Sequence, residues 1–476
     1  MILNRSLLCL ASVFLLASGC SYMIGDSIPV SPKPVIVESL ADYNLVLITV
    51  DALRPDHLGC YGDSSIETPA IDSLATNGLL FTDAYANSSF PSQSMSTLLS
   101  SRLPTSGGTI DILGSHPHDA TPTLSQHFLK SGRATALVGN QPLLKSKGFT
   151  KGYEDVSVGT GRSSKTASEV TEDALMFVED VAGDSFFLHV HFAEPHEPYG
   201  DADSPITVRG VREDFDVIAA DDGMRSAAIT ALKQRYDAEV AAVDSAVQQL
   251  LDGLAERGVS ERTAIVFTAT HGEEFWDHGY VGHAWTLYDE VLRVPLILHA
   301  PGRVPAAIGN STVSLADVLP SLQTLFELEE GTDPVYGTSA FSSDGDKHPY
   351  LGESSTVIAD LVLRDRVVLR AVINDGWKYI AAQHWPDPSV RNALLANPLD
   401  LWADPERELL FNLREDPDEL HDLSATATDQ IAFLRDILGQ YRSYCEEHGV
   451  PPRELTGEME IGDTDDRESL ETLGYL

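Results

Sequence analysis

The sequence predicts an α/β fold, a doubly wound sheet with a smaller C-terminal α+β subdomain, and three features carry that reading. Continuous apolar, β-branched runs, such as Asn44 to Val50 and Ser185 to Phe192, end abruptly on polar residues. Segments of helical period alternate with these runs, as in sheets built from strand–helix–strand units. Beyond Pro320 the pattern changes to short strand-like stretches.

The run NLVLITV at 44–50 has no polar alternation, so it reads as a central parallel strand buried on both faces and ending at Asp51. Thr68-Pro69 opens a helix that runs to Leu74, with proline in its first turn. A strand at Leu79 to Phe81, a helix from Thr123 to Leu129 and a strand at Ala134 to Val138 follow. Thr166 to Val181 is amphipathic, and SFFLHVHF at 185–192 is a further buried strand. The Ala-rich stretch Arg225 to Arg257 is a long helix stopped by Gly258, and it leads into a strand over Thr263 to Thr268. Sheets of this kind bind ligands at their strand C-termini, so site residues are expected just past the apolar runs.

In the last part, Val367 to Val372, Gly376 to Ile380 and Leu409 to Leu413 read as an antiparallel sheet, followed by a helix over Thr428 to Tyr441. The acidic stretch Glu454 to Arg467 reads as solvated surface. The expected organisation is a signal peptide at 1–19, a lipidated tether at 20–43, the main α/β domain at 44–335 and the C-terminal subdomain at 336–476.

The first segment carries Arg5, an apolar run from Leu7 to Leu16 and then Ala17-Ser18-Gly19-Cys20, the layout of a secretory signal. The run is too short to span a bilayer. Cysteine directly after small residues resembles the bacterial lipobox, which implies acylation at Cys20, attachment to the membrane through an N-terminal lipid anchor and a place in the cell envelope on the periplasmic or extracellular face. An ordinary cleaved signal is the alternative. Prolines at 29, 32 and 34 fit an extended tether. With 32 basic against 72 acidic residues and a net charge of −40, the chain is acidic yet 43% hydrophobic, hence globular rather than disordered. That charge opposes nucleic-acid binding, and an anionic substrate needs a local positive site. Of four cysteines, Cys9 and Cys20 fall in the leader, leaving Cys60 and Cys445 as one disulfide or two free thiols.

Asp51, at the end of a central strand, is placed to bind a divalent cation, or else caps a turn. His271 follows a strand within Thr268-Ala269-Thr270-His271-Gly272-Glu273-Glu274, where it can ligate or donate at an anionic centre, or be a surface histidine; His283 comes soon after. His196 lies in Glu194-Pro195-His196-Glu197-Pro198-Tyr199, a stiff loop that suits a general acid or a packed loop histidine.

These segments, in this order, resemble the sulfatase family of the alkaline phosphatase superfamily. Val50 to Gly62 is similar to its V-D-x-L-R-x-D-H-L-G-C-Y-G form, and Ala193 to Tyr199 to its P-H-x-P-Y loop. Thr268 to Gly279 resembles T-x-D-H-G-E-x-x-x-x-H-G, and Leu287 to Gly302 resembles L-Y-E-E-x-x-R-V-P-L-I-x-x-x-P-G. Asp375 to Tyr379 and Leu410 to Pro417 are similar to D-G-x-K-Y and E-L-Y-D-L-x-x-D-P. The resemblance implies a metal-assisted hydrolase of sulfate esters, or of phosphate esters, acting on an anionic substrate with a divalent metal, usually Ca2+. It implies Asp51, Thr270 and His271 at the metal, and Ser89 as nucleophile, with Ser92 and Ser88 behind it. It implies His196 and His283 at the reacting ester, with Arg54 and His283 as sources of positive charge.

The sequence departs from the family at several of these positions. Gln93 stands where the family has the arginine read by formylglycine-forming enzymes, which argues against that modification. Ala52 and Thr270 replace aspartates, and Gly139-Asn140-Gln141-Pro142 stands where many members have G-K-W-H. Alternatives to hydrolysis are therefore a sulfatase-like binding protein without turnover and a transferase of phosphorylated head groups. Specificity is expected from loops such as Tyr199 to Met224.

Overall fold

The computed structural model describes residues 35–449, apart from 64, 108–116, 118–120, 147, 160–164, 182, 200–221, 330–334, 343–348, 353–354, 364–365 and 383–406. The leader, Cys20, most of the loop at 199–224 and the acidic stretch at 454–467 lie outside the described residues.

Eight strands form the main sheet: β1 (Asn44–Val50), β2 (Leu79–Phe81), β3 (Ala134–Gly139), β4 (Asp155–Val158), β5 (Phe186–Phe192), β6 (Thr263–Ala269), β7 (Leu296–His299) and β8 (Ala307–Gly309). Their order is β8-β2-β7-β6-β1-β5-β3-β4. β1 lies between β5 and β6, parallel to both, and is buried from Leu45 to Val50, which is why its sequence needs no polar alternation. β7 alone in this sheet is antiparallel to its neighbours. Between it and β6 lie a short two-stranded ribbon and a single helical turn, Asp289–Leu292, with no crossover helix, and a strand that returns without one can run the other way.

The helices are α1 (Pro69–Thr76), α2 (Pro91–Ser100), α3 (Leu124–Lys130), α4 (Ala167–Asp180), α5 (Asp222–Glu256) and α6 (Val318–Phe326). Thr166 caps α4 by accepting from the Glu169 amide. α5 packs along α4 at Gly253, where a Cβ would come within 2.4 Å of Leu175.

The C-terminal subdomain is an antiparallel meander, β9 (Val357–Leu363), β10 (Arg366–Asn374), β11 (Trp377–Ala382) and β12 (Glu408–Asn412), with α7 (Thr428–His448) against it. Ile431, Leu434, Leu438 and Tyr441 of α7 share a core with Val372, Tyr379 and Leu410. Sequence reasoning missed β9, whose run is interrupted by Asp360. That carboxylate is buried but satisfied, accepting from Arg370 Nε at 2.9 Å and from the Tyr441 hydroxyl at 2.9 Å. β9 also holds the first turn of α2 and the segment before it: Asn87 Nδ2 donates to Ile358 O at 2.8 Å, and Gln93 Nε2 to Val362 O at 2.7 Å.

The packed chain begins before the boundary expected at residue 44. Val35, Val37 and Leu40 are buried in the main core, the Val37 amide donates to Pro349 O at 2.8 Å, and the Leu40 amide donates to Leu325 O at 2.7 Å. Short spacing between apolar residues concealed this, because three anchors among prolines look like a linker. Cys60 and Cys445 are both free thiols. Among the described residues no helix is long and apolar enough to cross a membrane. Leu40→Ala is expected to lower the unfolding free energy by about 2–5 kcal/mol, measured by urea denaturation; a loss within error would return this segment to the tether.

Candidate active site

The C-terminal ends of β1, β3, β5 and β6 lie along one edge of the sheet because those strands are parallel. The loops leaving them therefore meet. The ladder continues past the strands, with the Asp51 amide donating to Phe192 O and the Thr270 amide to Val50 O, each at 2.9 Å. Asp51, Asn140, Gln141, Ala193 and Thr270 are thus brought together. α2 closes over them: Pro91, Ser92 and Met95 line a cavity of about 10 Å³ with Asp51, Gln141, His191 and Thr270, and Ser94 Oγ donates to Thr270 O.

Asp51 is fully buried. Its Oδ1 accepts from Thr270 Oγ1 at 2.5 Å and its Oδ2 from Gln141 Nε2 at 2.9 Å. Burial alone would raise its pKa, but His271, His196 and His191 outweigh that and hold it well below the usual carboxylate range. The following residue, Ala52, has a left-handed backbone at φ 55°, and Tyr236 of α5 clamps the turn by donating to Ala52 O at 2.7 Å and accepting from the Arg54 amide at 2.8 Å. A β-carbon in that conformation costs roughly 1–2 kcal/mol, which the clamp offsets.

Three histidine rings pack together next to this carboxylate. Ring centroids are 4.4 Å apart for His271 and His283, and 4.7 Å for His283 and His196. In each, Nδ1 faces a group that can only accept: Gly272 O at 2.7 Å from His271, Glu197 O at 2.7 Å from His196, and Glu273 Oε1 at 2.9 Å from His283. Each Nδ1 therefore carries the hydrogen, and each Nε2 turns a lone pair, or a second proton, toward the site. His196 Nε2 lies 3.2 Å from His283 Nε2, a contact that becomes a hydrogen bond only when one proton sits between them. Burial pushes the His283 imidazole down to about 4 against the pull of Glu273, which leaves its Nε2 as an acceptor near neutral pH. Glu273 is itself held as a carboxylate by His283 and by the Tyr199 hydroxyl at 2.6 Å, although burial works the other way.

His271 Nε2 is buried without a hydrogen-bond partner, 3.4 Å from Asp51 Oδ1. That is long for a hydrogen bond but suits two ligands of one cation, each about 2.0–2.4 Å from it. Gln141 Oε1 and His191 Nε2 are also buried and unpartnered at the same cavity. These residues fit a divalent metal, with Asp51 and His271 as its holders. Thr270, expected as a ligand, spends its hydroxyl hydrogen on Asp51.

Sequence reasoning missed His191, Gln141 as a donor to Asp51, and the Glu273–Tyr199 support. His191 ends a relay of hydrogen bonds: Tyr153 hydroxyl to His189 Nδ1 at 2.9 Å, His189 Nε2 to Thr49 Oγ1 at 2.8 Å, and Thr49 Oγ1 to His191 Nδ1 at 2.8 Å. The signal was present in HVHF, since two inward-alternating histidines in an apolar strand require buried partners.

Ser89 is fully buried just before α2, and its Oγ has no hydrogen-bond partner. Its carbonyl accepts from the Ala284 amide at 3.0 Å, which seats it beside His283. Ser88, expected behind it, donates to Gln93 Oε1 at 2.9 Å and is structural. Ser92 lines the cavity with Asp51. The expectation that Arg54 and His283 supply positive charge is corrected. Arg54 is ion-paired to Asp56 at 2.7 Å and Asp277 at 2.9 Å, and lines a separate cleft, while His283 is neutral at pH 7 because it is buried.

The family model described as "Sulfatase" matches residues 43–328, more than half of the chain. The chain belongs to the sulfatase family. Iduronate 2-sulfatase of Mus musculus is 27% identical over 341 residues, covering 56% of this chain and 61% of that protein. The chain thus matches about six-tenths of the length of that relative. Arylsulfatase of Clostridium perfringens is 22% identical over 477 residues, covering 83% of this chain and 93% of that protein. The phosphonate monoester hydrolase of Agrobacterium radiobacter shares the fold at a TM-score of 0.63 and 18% identity, covering 88% of this chain and 99% of that one. A structure solved with its substrate D-glucosamine-2-N,6-O-disulfate shares it at 0.66 and 16%, covering 87% and 100%. The superfamily fold expected from the sequence is therefore present, with the C-terminal antiparallel sheet.

His191 and His283 are both pushed down to about 4 by burial, against about 6.5 in an unfolded chain. Between these values the unfolded chain binds more protons, so their contribution to stability is complete above pH 6.5 and is lost as the pH falls toward 4, at up to roughly 1.4 kcal/mol per pH unit for each. Urea unfolding in EDTA should show this slope, and His283→Gln should reduce it; an unchanged slope would mean that His283 is not buried as neutral imidazole.

Proposed function

We propose that this sulfatase-family chain hydrolyses sulfate esters at the Asp51–His271 site, with Ser89 as nucleophile. The reading is carried by one observation: His271 turns an unpartnered Nε2 to the buried, ionised Asp51 at 3.4 Å, its ring packs on His283, whose Nε2 meets that of His196, and an unpartnered serine hydroxyl lies on the adjoining segment. A divalent cation held by Asp51 and His271 would supply Lewis-acid charge at the ester oxygens. Ca2+ is the family's usual choice, but the imidazole of His271 favours a metal that accepts nitrogen, such as Zn2+ or Mn2+.

The chain's own residues supply the rest. Ser89 Oγ attacks sulfur in line and gives its proton to an imidazole. The ester's sulfur–oxygen bond breaks, and the leaving oxygen takes the proton held between His196 and His283. Water then attacks the sulfur of the serine sulfate and gives a proton back to the His196–His283 pair, sulfate leaves, and Ser89 recovers its hydrogen from the imidazole that took it. Glu273, fixed by Tyr199, keeps His283 in the tautomer that accepts at Nε2.

A second reading, binding without turnover, is favoured by the tightness of the site. Both Asp51 oxygens already accept hydrogen bonds, and the adjoining cavity of about 10 Å³ admits no more than one water. An aryl sulfate assay on metal-loaded protein separates the two. Hydrolysis is expected, and Asp51→Ala and Ser89→Ala should each lower kcat/KM by at least roughly 100-fold. Turnover that survives Ser89→Ala would remove Ser89 from the reaction, and no turnover with any of Ca2+, Mn2+ or Zn2+ would favour the binding protein.

The Ala17-Ser18-Gly19-Cys20 motif supports a lipid-anchored place in the cell envelope for this activity. Cys20→Ala is expected to release the protein from membranes and change its gel mobility; membrane attachment and mobility like those of the unsubstituted chain would end the anchoring proposal.

A further inference from the structure

A separate group of side chains lies where the main domain meets the C-terminal subdomain. His278 and Glu290 come from the segment between β6 and β7, and Glu419 from the loop after β12. One ligand atom from each falls within 4.8 Å of the other two. His278 Nε2 and Glu290 Oε2 are buried without hydrogen-bond partners, although they face each other at 3.4 Å. Their side chains are 9% and 12% exposed. A charge-assisted hydrogen bond between them would close to about 2.7–2.9 Å. The observed gap is instead that of two ligands around one ion, each about 2.0–2.2 Å away.

Glu419 is arranged to match. Its Oε2 is committed to the fold, accepting from the Asp289 amide at 2.6 Å and from Lys378 Nζ at 3.0 Å. Its Oε1 lies 2.9 Å from Lys378 Nζ but out of line for a hydrogen bond, and so keeps a lone pair for another partner. Glu419 also holds a left-handed backbone at φ 49°, a conformation that a non-glycine residue adopts only when its surroundings enforce it. The His278 ring is fixed by stacking on Tyr288 with centroids 3.7 Å apart. Around the group, Asp289 adds a carboxylate against the single ammonium of Lys378. Glu290 also lines a cavity of about 340 Å³ with Asp56, Asp277, Asp289 and Asp418, carboxylates that outnumber the Arg54, Lys233 and Arg293 cations of the same lining.

We propose that His278 Nε2, Glu290 and Glu419 Oε1 form a second divalent-cation site, distinct from Asp51–His271, that pins the C-terminal loop to the segment carrying His283. One imidazole and two carboxylates are the donor set of Zn2+ or Mn2+; Ca2+, which takes six to eight oxygens, fits it poorly. Water completes the coordination from the open cavity. The position gives the site a structural role: the ribbon Glu274–Phe275 with Val281–Gly282 runs directly into His283, so a cation at its base holds that imidazole's backbone.

The test uses the full chain carrying Asp51→Ala, so that it does not depend on the hydrolytic site. After EDTA treatment and titration with Zn2+ and, separately, Mn2+, elemental analysis should find one tightly held cation per chain and a rise in melting temperature. Adding Glu290→Gln, or His278→Gln, should abolish both while leaving the melting temperature in EDTA close to that of Asp51→Ala. Should either variant fold poorly, Co2+ on the Asp51→Ala chain provides the second readout: paramagnetically shifted proton resonances of a single ligated imidazole are expected. No cation bound to Asp51→Ala, or one that persists unchanged in Glu290→Gln and His278→Gln, or a Co2+ site without shifted imidazole resonances, overturns the proposal. Aryl sulfate turnover is read in the unsubstituted chain, so loss of the hydrolytic reading and loss of this site give different results.

Discussion

An ionised carboxylate with no exposed surface is expensive, and the arrangement around Asp51 follows from meeting that expense. Water is excluded at the end of β1, so negative charge there must be matched by donors or cations within a few ångströms. Thr270 and Gln141 supply two donors, and the imidazoles of His271 and His196 lie close enough to favour the deprotonated group. Because each histidine is in turn fixed through Nδ1 or through Thr49, the carboxylate imposes order on four loops. The parallel sheet makes this cheap: strands running the same way deliver those loops to one edge without any long-range folding of the loops themselves.

Much of this was legible in the sequence, for reasons that differ from residue to residue. β1, β5 and β6 are buried on both faces and so lack alternation, which makes their ends sharp and points to Asp51, His196 and His271 as the residues just beyond them. β9 was obscured because Asp360 interrupts it, and only Arg370 and Tyr441, distant in sequence, make a carboxylate tolerable there. Val35 to Leu40 was obscured because the segment is too short to show a period. His191 and Glu273 act through partners on other elements, which a reading confined to neighbours along the chain does not reveal.

Arg54 shows how a local motif misleads about charge. Its place in the segment after β1 suggested a cation near the carboxylate, yet Asp56, two residues on, and Asp277, far along the chain, take both faces of the guanidinium. In a chain of net charge −40 an arginine is seldom left without carboxylates to claim it. Lys378 repeats the pattern at the subdomain junction, held by Asp289 and Glu419. These two cations are consumed in holding the fold.

That consumption bears on how an anionic ester could be held at all. Around Asp51 the described groups are carboxylates, hydroxyls, amides and imidazoles, of which His191 and His283 are neutral near pH 7 because they are buried. An anion brought to this edge meets Asp51 and Glu273 as charges of its own sign, each about as costly as the next unless it is balanced. The balance must therefore arrive from outside the polypeptide, as a metal ion on Asp51 and His271 or as the proton between His196 and His283. Thr270 and Gln141, both neutral, hold Asp51 in place without neutralising it. The pocket is in this sense built to be completed: the protein fixes geometry and tautomers, and leaves the positive charge to be bound.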